Sequence, residues 1–471
     1  MYRYLTPIFV TALVLSAFIG SWMLAQASGS LENSVRIVAF FCANSLLMFD
    51  MLDFLARLWF VRFHGITGDG PSMALDLPEI SNREASLMLA PYAIIASVHD
   101  AADDIDQFIE AMEPFKSVVW LIDDASHDDT LLHLRRQGWR CIAGKTNRKK
   151  PGALYELLKV LPAEIETVIV LDPDVRFESA SAAQRPVFER VILDFQRSGA
   201  AGMTPRIVAH ATNWLGDAQA LEFELCCGFG RKSLSNVCTS AGVSMYRRSA
   251  LLRALSQHTL SVYAEDFENS VLLLAAGENI YYDDRLVFVT AAKSTWMGWF
   301  SQRVGWSFGW AKVYRERLRQ IFVIARRGPL PAYQYVAYLG ILGIVALPIK
   351  LAGLVVLVAS FLRGFADFFS VGVMPSFAWS DPLFFGLCFL KSMLLVGVAS
   401  CLSARARDRW RHWLTVPFYM FYALAHLIPI TVGFLNVIAL AVCGRRLYAD
   451  HYDERPRLHS RRELTATAWS N

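Results

Sequence analysis

Polar and apolar positions divide the 471-residue chain into stretches of contrasting texture. Residues 5–27 (LTPIFVTALVLSAFIGSWMLAQA) carry no charge and are long enough for a bilayer-spanning helix, which needs about 20 apolar residues. A second apolar run extends from Ile37 to Phe60, broken by Asp50, Asp53 and Arg57, so its far end belongs at an interface or against other helices. The close pair predicts a transmembrane hairpin over 1–64; a signal peptide cleaved near AQASGS is the alternative. From 65 to 292, short Ile- and Val-rich runs (YAIIASV, SVVWLIDD, ETVIVLDPD, RLVFVTA) alternate with helix-like stretches (DDIDQFIEAM, ALYELLKVL). Alternation at this spacing predicts an α/β domain with a parallel sheet flanked by helices. In such a sheet the ligand sits off the carboxyl ends of the strands.

Region 293–330 opens with TWMGWFSQRVGWSFGWAKV, four tryptophans in 15 residues beside a cationic flank. This predicts an amphipathic helix in the headgroup region; an aromatic core helix of the α/β domain is the alternative. Apolar runs return at 333–361, 382–402 and 413–442 within a C-terminal transmembrane region, 331–443, and a basic tail occupies 444–471. Pro348, Pro417 and Pro429 interrupt the two longer runs, which therefore read as kinked spans or as spans with re-entrant pieces. Arginines cluster at 315–327, 405–411 and 445–462, the pattern of segments facing the cytoplasm. If the tail is cytoplasmic, one of the long runs does not cross fully.

Composition supports a membrane protein with an embedded α/β domain. The chain is 54% hydrophobic and 19% charged, with a mean hydropathy of +0.33, which excludes disorder and low-complexity classes. A net charge of +4 does not point to nucleic acid. The 8 cysteines form no CxxC pair or zinc-like cluster and read as buried, reduced thiols.

The chemistry lies where apolar runs end on acids: Asp123 and Asp124 after SVVWLI, Asp172 and Asp174 after VIVL, and Glu265 and Asp266 in VYAEDFE. Each pair alone has a structural explanation as a helix cap or a turn. Together they suit a reaction. A short Asp-x-Asp fits a hard divalent cation shared with phosphate oxygens and water. A separate carboxylate can take a proton from an incoming hydroxyl. That combination describes glycosyl transfer from a nucleotide sugar.

At this point the chain resembles the family 2 glycosyltransferases, in particular the membrane-embedded branch with cellulose, chitin and hyaluronan synthases. IIASVHD, WLIDDASHDDT, RKKPGAL, VLDPD, CTSAGVSMYRRSAL, YAEDFE and QRVGW follow one another between Tyr92 and Trp310 in the order of that family's motifs. The resemblance implies a GT-A-type fold, mixed and mostly parallel, embedded between transmembrane helices. It implies an inverting transfer from a UDP-sugar with Mg²⁺ or Mn²⁺, in a multi-pass inner-membrane protein whose catalytic domain is cytoplasmic. Residue by residue, it implies that Asp100 and Asp124 hold uracil and ribose, with Lys150 assisting at the nucleotide. Asp172 would contact the diphosphate and, with Asp174, the metal. Asp266 would be the general base, with Glu265 orienting the site. Gln302, Arg303 and Trp306 would close over the diphosphate and acceptor. Three departures stand out: Gly305 where the family has arginine, Ala264 where it has threonine, and Val98–His99 where it has Tyr–Asn. The expected product is a growing polysaccharide, with export or accessory subunits as partners. The alternatives are single addition to a lipid acceptor, and a non-catalytic scaffold that keeps the fold.

Overall fold

The computed structural model describes residues 87–348, with gaps at 103–104, 179–184 and 260–262, then 406–448 and scattered positions between 53 and 75 and between 350 and 397. The expected hairpin over 1–64 and the run at 382–402 lie almost wholly outside the described residues, as does the tail beyond Tyr448.

The chain builds β1 (Tyr92–Val98), α1 (Ile105–Met112), β2 (Val119–Asp123), α2 (Thr130–Arg136), β3 (Cys141–Ala143), α3 (Lys149–Val160) and β4 (Thr167–Leu171). It continues through β5 (Val175–Phe177), α4 (Arg185–Arg197), β6 (Gly202–His210), α5 (Trp214–Phe223), β7 (Val243–Arg247), α6 (Arg248–Leu255), α7 (Glu265–Ala275) and β8 (Ile280–Ala291). Helices α8 (Trp296–Ala325), α9 (Pro329–Ala332) and α10 (Ala406–Cys443) follow, with π-helical stretches over Glu224–Gly230 and Tyr333–Val345.

Eight strands form one mixed sheet in the order β3-β2-β1-β4-β7-β6-β8-β5. Strands β1 to β4 are mutually parallel, while β7 runs antiparallel to β4 and β6. The mixed, helix-flanked sheet agrees with the expected fold class. Every residue of β4 is buried, as a central strand covered on both faces requires. Period-2 alternation divides the core: Ile95, Val168, Val170 and Tyr282 face α3, α6 and α7, whereas Ile94, Ile169, Leu171 and Tyr281 face α1 and α4. Helix α1 buries Ile105, Phe108, Ile109 and Met112, the i, i+3, i+4, i+7 stripe of an amphipathic helix.

After β8, Thr295 caps α8 by accepting a hydrogen bond from the Gly298 amide at 3.1 Å. The tryptophan-rich helix has neighbours on two sides. Arg317, where its helical geometry breaks, reaches Glu268 of α7 at 2.8 Å. Trp299 is buried and donates to the Tyr422 hydroxyl at 2.9 Å, and Trp310 packs edge-on against Phe434. Trp296 and Trp306 remain exposed. Among the described residues one helical stretch, Phe421–Cys443, is long and apolar enough to cross a membrane. It continues an unbroken helix with Pro417 and Pro429 inside it, and the 17-residue stretch Pro329–Val345 is a shorter apolar helix. Cys238 is buried as expected, but Cys226 and Cys443 are exposed.

Candidate active site

Strand direction gathers the acids. Because β2, β1 and β4 are parallel neighbours, with Val98 opposite Asp123 and Ile95 opposite Val170, their carboxyl ends open onto one edge of the sheet. Antiparallel β7 starts at that edge, with Leu171 opposite Val243. Gly242 therefore meets Asp172: its carbonyl accepts from the Asp172 amide at 2.9 Å. A Cβ at 242 would lie 2.4 Å from Asp172 Oδ2, so only glycine fits beside the carboxylate in this geometry.

Lys150, in the first turn of α3, joins the strand ends to α7. Its ammonium donates to Asp172 and, at 2.6 Å, to Glu265 Oε1. Burial works against the charge, but Asp172, Glu265 and Asp266 outweigh it and hold the lysine well above its ordinary pKa. Asp172 is pushed upward by burial, with Asp174 and Glu265 adding to the effect against the pull of Lys150. Asp266 is raised to about 6, by burial and then by Glu265 beside it. Its Oδ1 accepts from the Phe267 amide at 2.7 Å, which fixes the carboxylate at the start of α7. Asp174 is exposed two residues beyond Asp172.

This cluster fits a divalent metal. Asp172, Glu265 and Asp266 act on one ammonium with Asp174 close to Asp172, and burial, reinforced by the neighbouring acids, raises Asp172 and Asp266. Asp172 and Asp174 supply hard oxygen donors, and the exposure of Asp174 leaves room for phosphate oxygens and water.

On the β1–β2 side, Asp124 is buried and accepts from the Arg148 amide at 2.7 Å; burial raises it to about 6. Asp100 is exposed, its Oδ1 accepting from the His127 amide at 2.7 Å. His99, Asp100 and His127 bring ligand-capable atoms within 4.8 Å of one another. Non-glycine residues with left-handed backbone surround the cleft: Asp100 (φ 46°), Ala125 (φ 59°), Lys149 (φ 60°) and Ala264 (φ 58°). Such strain concentrates where structure holds groups in place for function, and sequence pattern gives no signal of it.

The residues expected from QRVGW are arranged differently. Arg303 is 1% exposed and pairs with Glu222 of α5 at 2.6 Å. Gln302 accepts from its Nη1 at 2.7 Å, and the Trp306 ring lies 4.2 Å beneath its guanidinium. The three form a node around Glu222 that Tyr422 of α10 joins as a hydrogen-bond donor. Among the described residues no hydrogen bond or ion pair links this node to Lys150, Asp172, Glu265 or Asp266. Sequence reasoning missed Glu222 and Gly242; only Gly242 had a signal, its place within CTSAGVSMYRRSAL.

No family model matches this chain, and no curated protein matches it. Among solved structures it is similar to GalNAc-T7 with UDP, GalNAc and Mn²⁺, at 11% identity and a TM-score of 0.31 over 44% of each chain. It is also similar to glucosyl-3-phosphoglycerate synthase from Mycobacterium tuberculosis with UDP, at 14% identity and a TM-score of 0.33, covering 52% of this chain and 86% of that one. The same synthase with Mn²⁺ and UDP-glucose gives 13% identity and a TM-score of 0.32, over 49% of this chain and 82% of that one.

Proposed function

We propose that the protein is a membrane-associated, inverting glycosyltransferase using a UDP-sugar donor. The observation that carries this reading is the Lys150 bridge, which brings the end of β4 (Asp172) and the start of α7 (Glu265, Asp266) to one edge of the sheet. Nucleotide binding falls to Asp124 and Asp100 at the ends of β2 and β1, next to that bridge. Lys150 offers its ammonium to the phosphates while Glu265 holds it in register. A divalent ion on Asp174 and Asp172 would neutralise charge on the departing diphosphate. Asp266 takes the proton of the acceptor hydroxyl as its oxygen attacks the anomeric carbon from the face opposite the diphosphate. The bond to phosphate breaks with its electron pair on UDP, and the configuration inverts.

The arginine supplied by the family motif is missing at 305, and Arg303 is engaged by Glu222. Charge compensation at the diphosphate therefore rests on Lys150 and the metal. The motif resemblance supports a polysaccharide product; the aliphatic cavity described below favours the second reading, one sugar added to a lipid. Both readings place the cleft on the cytoplasmic side of the inner membrane, and a reporter inserted in a surface loop of the α/β domain that is active only in the periplasm would contradict that placement. The reading as a whole is tested by incubating purified protein with labelled UDP-sugars and Mn²⁺, with and without Asp266→Asn. Labelled product from the wild type alone is expected; no product from any UDP-sugar, with no UDP binding, would overturn it.

A further inference from the structure

Beside the base lies a cavity of about 400 Å³, within the ~300–1,000 Å³ range of small-molecule sites. Its catalytic end is formed by Thr239, from the loop preceding β7, and Phe267, the residue after Asp266. That loop is tied to α7, since the Ser240 amide donates to Ser270 Oγ at 2.7 Å. From there the lining runs along the π-helical stretch at Leu339 and Leu342 and continues beyond it to Leu347 and Lys350. Leu427 and Ile430 close the other side, and both belong to Phe421–Cys443, the stretch apolar enough to cross a membrane. The wall is thus continuous with a surface suited to lipid.

Apolar surface predominates in the lining, with Thr239, Trp310, Tyr338 and Lys350 adding polar atoms besides Asp53 and Gln334. Of its polar side chains, Asp53 is engaged by Arg57 at 2.9 Å and by the Tyr333 hydroxyl at 2.8 Å, and Gln334 accepts from Arg57 at 3.3 Å. A saccharide carries hydroxyls on every edge, and each one buried without a partner costs about 1–3 kcal/mol. A hydrocarbon chain has no such cost and gains from each methylene it buries.

We propose that this cavity holds the hydrocarbon chain of a lipid acceptor whose hydroxyl is presented to Asp266. The assignment rests on the glycosyl-transfer reading and names its acceptor class. The head group is neutral: Asp172, Asp174, Glu265 and Asp266 already crowd the cleft, and a phosphate-headed acceptor would add charge there. The lipid O–H proton passes to the Asp266 carboxylate, the lipid oxygen bonds to the anomeric carbon, and UDP leaves with the electrons of the broken bond.

The test supplies full-length protein with Mn²⁺ and the labelled UDP-sugar it turns over, in phosphatidylcholine vesicles carrying dioleoylglycerol, ceramide or polyprenyl phosphate. Label is expected on a hydroxyl lipid, with transfer reduced at least tenfold by Leu342→Trp, which fills the cavity. UDP titration reports whether the nucleotide side of the variant stays intact. If the variant loses UDP binding through misfolding, a photoreactive acyl chain on the wild type decides. Crosslinks at Leu342 or Leu427 support the cavity, and crosslinks elsewhere overturn it. Preferred labelling of polyprenyl phosphate would overturn the neutral head group. A long glycan without lipid, made equally well by Leu342→Trp, would overturn the acceptor assignment while leaving glycosyl transfer standing. Failure to bind UDP or transfer sugar at all would overturn both.

Discussion

Tyr263 occupies the space that a side chain at position 305 would need: a Cβ there would lie 2.4 Å from the tyrosine Cε1. One turn later, a Cβ at Gly309 would lie 2.6 Å from the Tyr263 carbonyl. The two glycines form a notch on α8 that receives Tyr263, and the chain then passes through left-handed Ala264 into Glu265 and Asp266. Glycine at 305 and the seating of the tyrosine are thus two sides of one packing arrangement.

Gly305→Ala is accordingly expected to destabilise the protein by about 1–3 kcal/mol, the usual cost of overpacking. Tyr263→Ala in the same chain should recover much of that loss. Thermal unfolding of the two single variants and the double variant measures the coupling; additive effects would show that the notch does not matter.

The rate of transfer should fall as pH drops through about 6. Burial and Glu265 raise the Asp266 carboxyl to about that value, and a base works only when deprotonated. Protonation below this pH therefore removes activity, by about tenfold per pH unit well into the limb, while the rate above it is level with respect to this group. A profile of kcat/KM against pH checks this, and an acid limb near 4 would place Asp266 in a less buried state.

The placement of Asp172 against Gly242 makes Gly242→Ala a test of the metal site. The added methyl would displace the carboxylate, so Mn²⁺-dependent tightening of UDP binding should be lost, as it should in Asp174→Ala. Titration of UDP with and without Mn²⁺ reads both variants. Wild-type affinity that is indifferent to the metal would remove Asp172 and Asp174 from that role.

Much of this site was legible from residue order alone. YAIIASV and TVIVL form β1 and β4 as their apolar runs predict, and the acids that follow them lie at one edge of the sheet because parallel strands end on the same side. Less legible were β6 and β7. GMTPRIVAH carries a proline, which sits at the irregularity between Pro205 and Arg206, and VSMYR follows a glycine-containing loop. They pair with each other across an intervening helix and π-helical stretch, and with β8 and β4 farther along the chain. The motif position of Arg303 suggested a phosphate ligand, but its partner Glu222 lies 81 residues earlier, beyond the reach of any local pattern. Tyr263 at Gly305 is equally a contact that only folding creates. The tryptophans of α8 showed an aromatic helix without revealing that α7 and α10 both pack on it.

Lys150→Met should leave Asp172 and Glu265 facing each other without a cation. We expect transfer to fall at least 100-fold, because the cluster loses both its bridge and a phosphate contact, each a charged interaction in a partly dry site. Steady-state kinetics, with circular dichroism as the control for folding, decide the point. Lys150→Arg with near wild-type turnover would show that charge alone is required.

The central claim, that Asp266 activates an acceptor hydroxyl against a UDP-sugar, is tested most directly by single-turnover transfer in Asp266→Asn alongside UDP titration in Mn²⁺. The predicted result is a transfer rate lower by about 10²–10⁴, the usual contribution of a positioned base, with UDP affinity within a few-fold of wild type. Transfer at the wild-type rate in Asp266→Asn would contradict it.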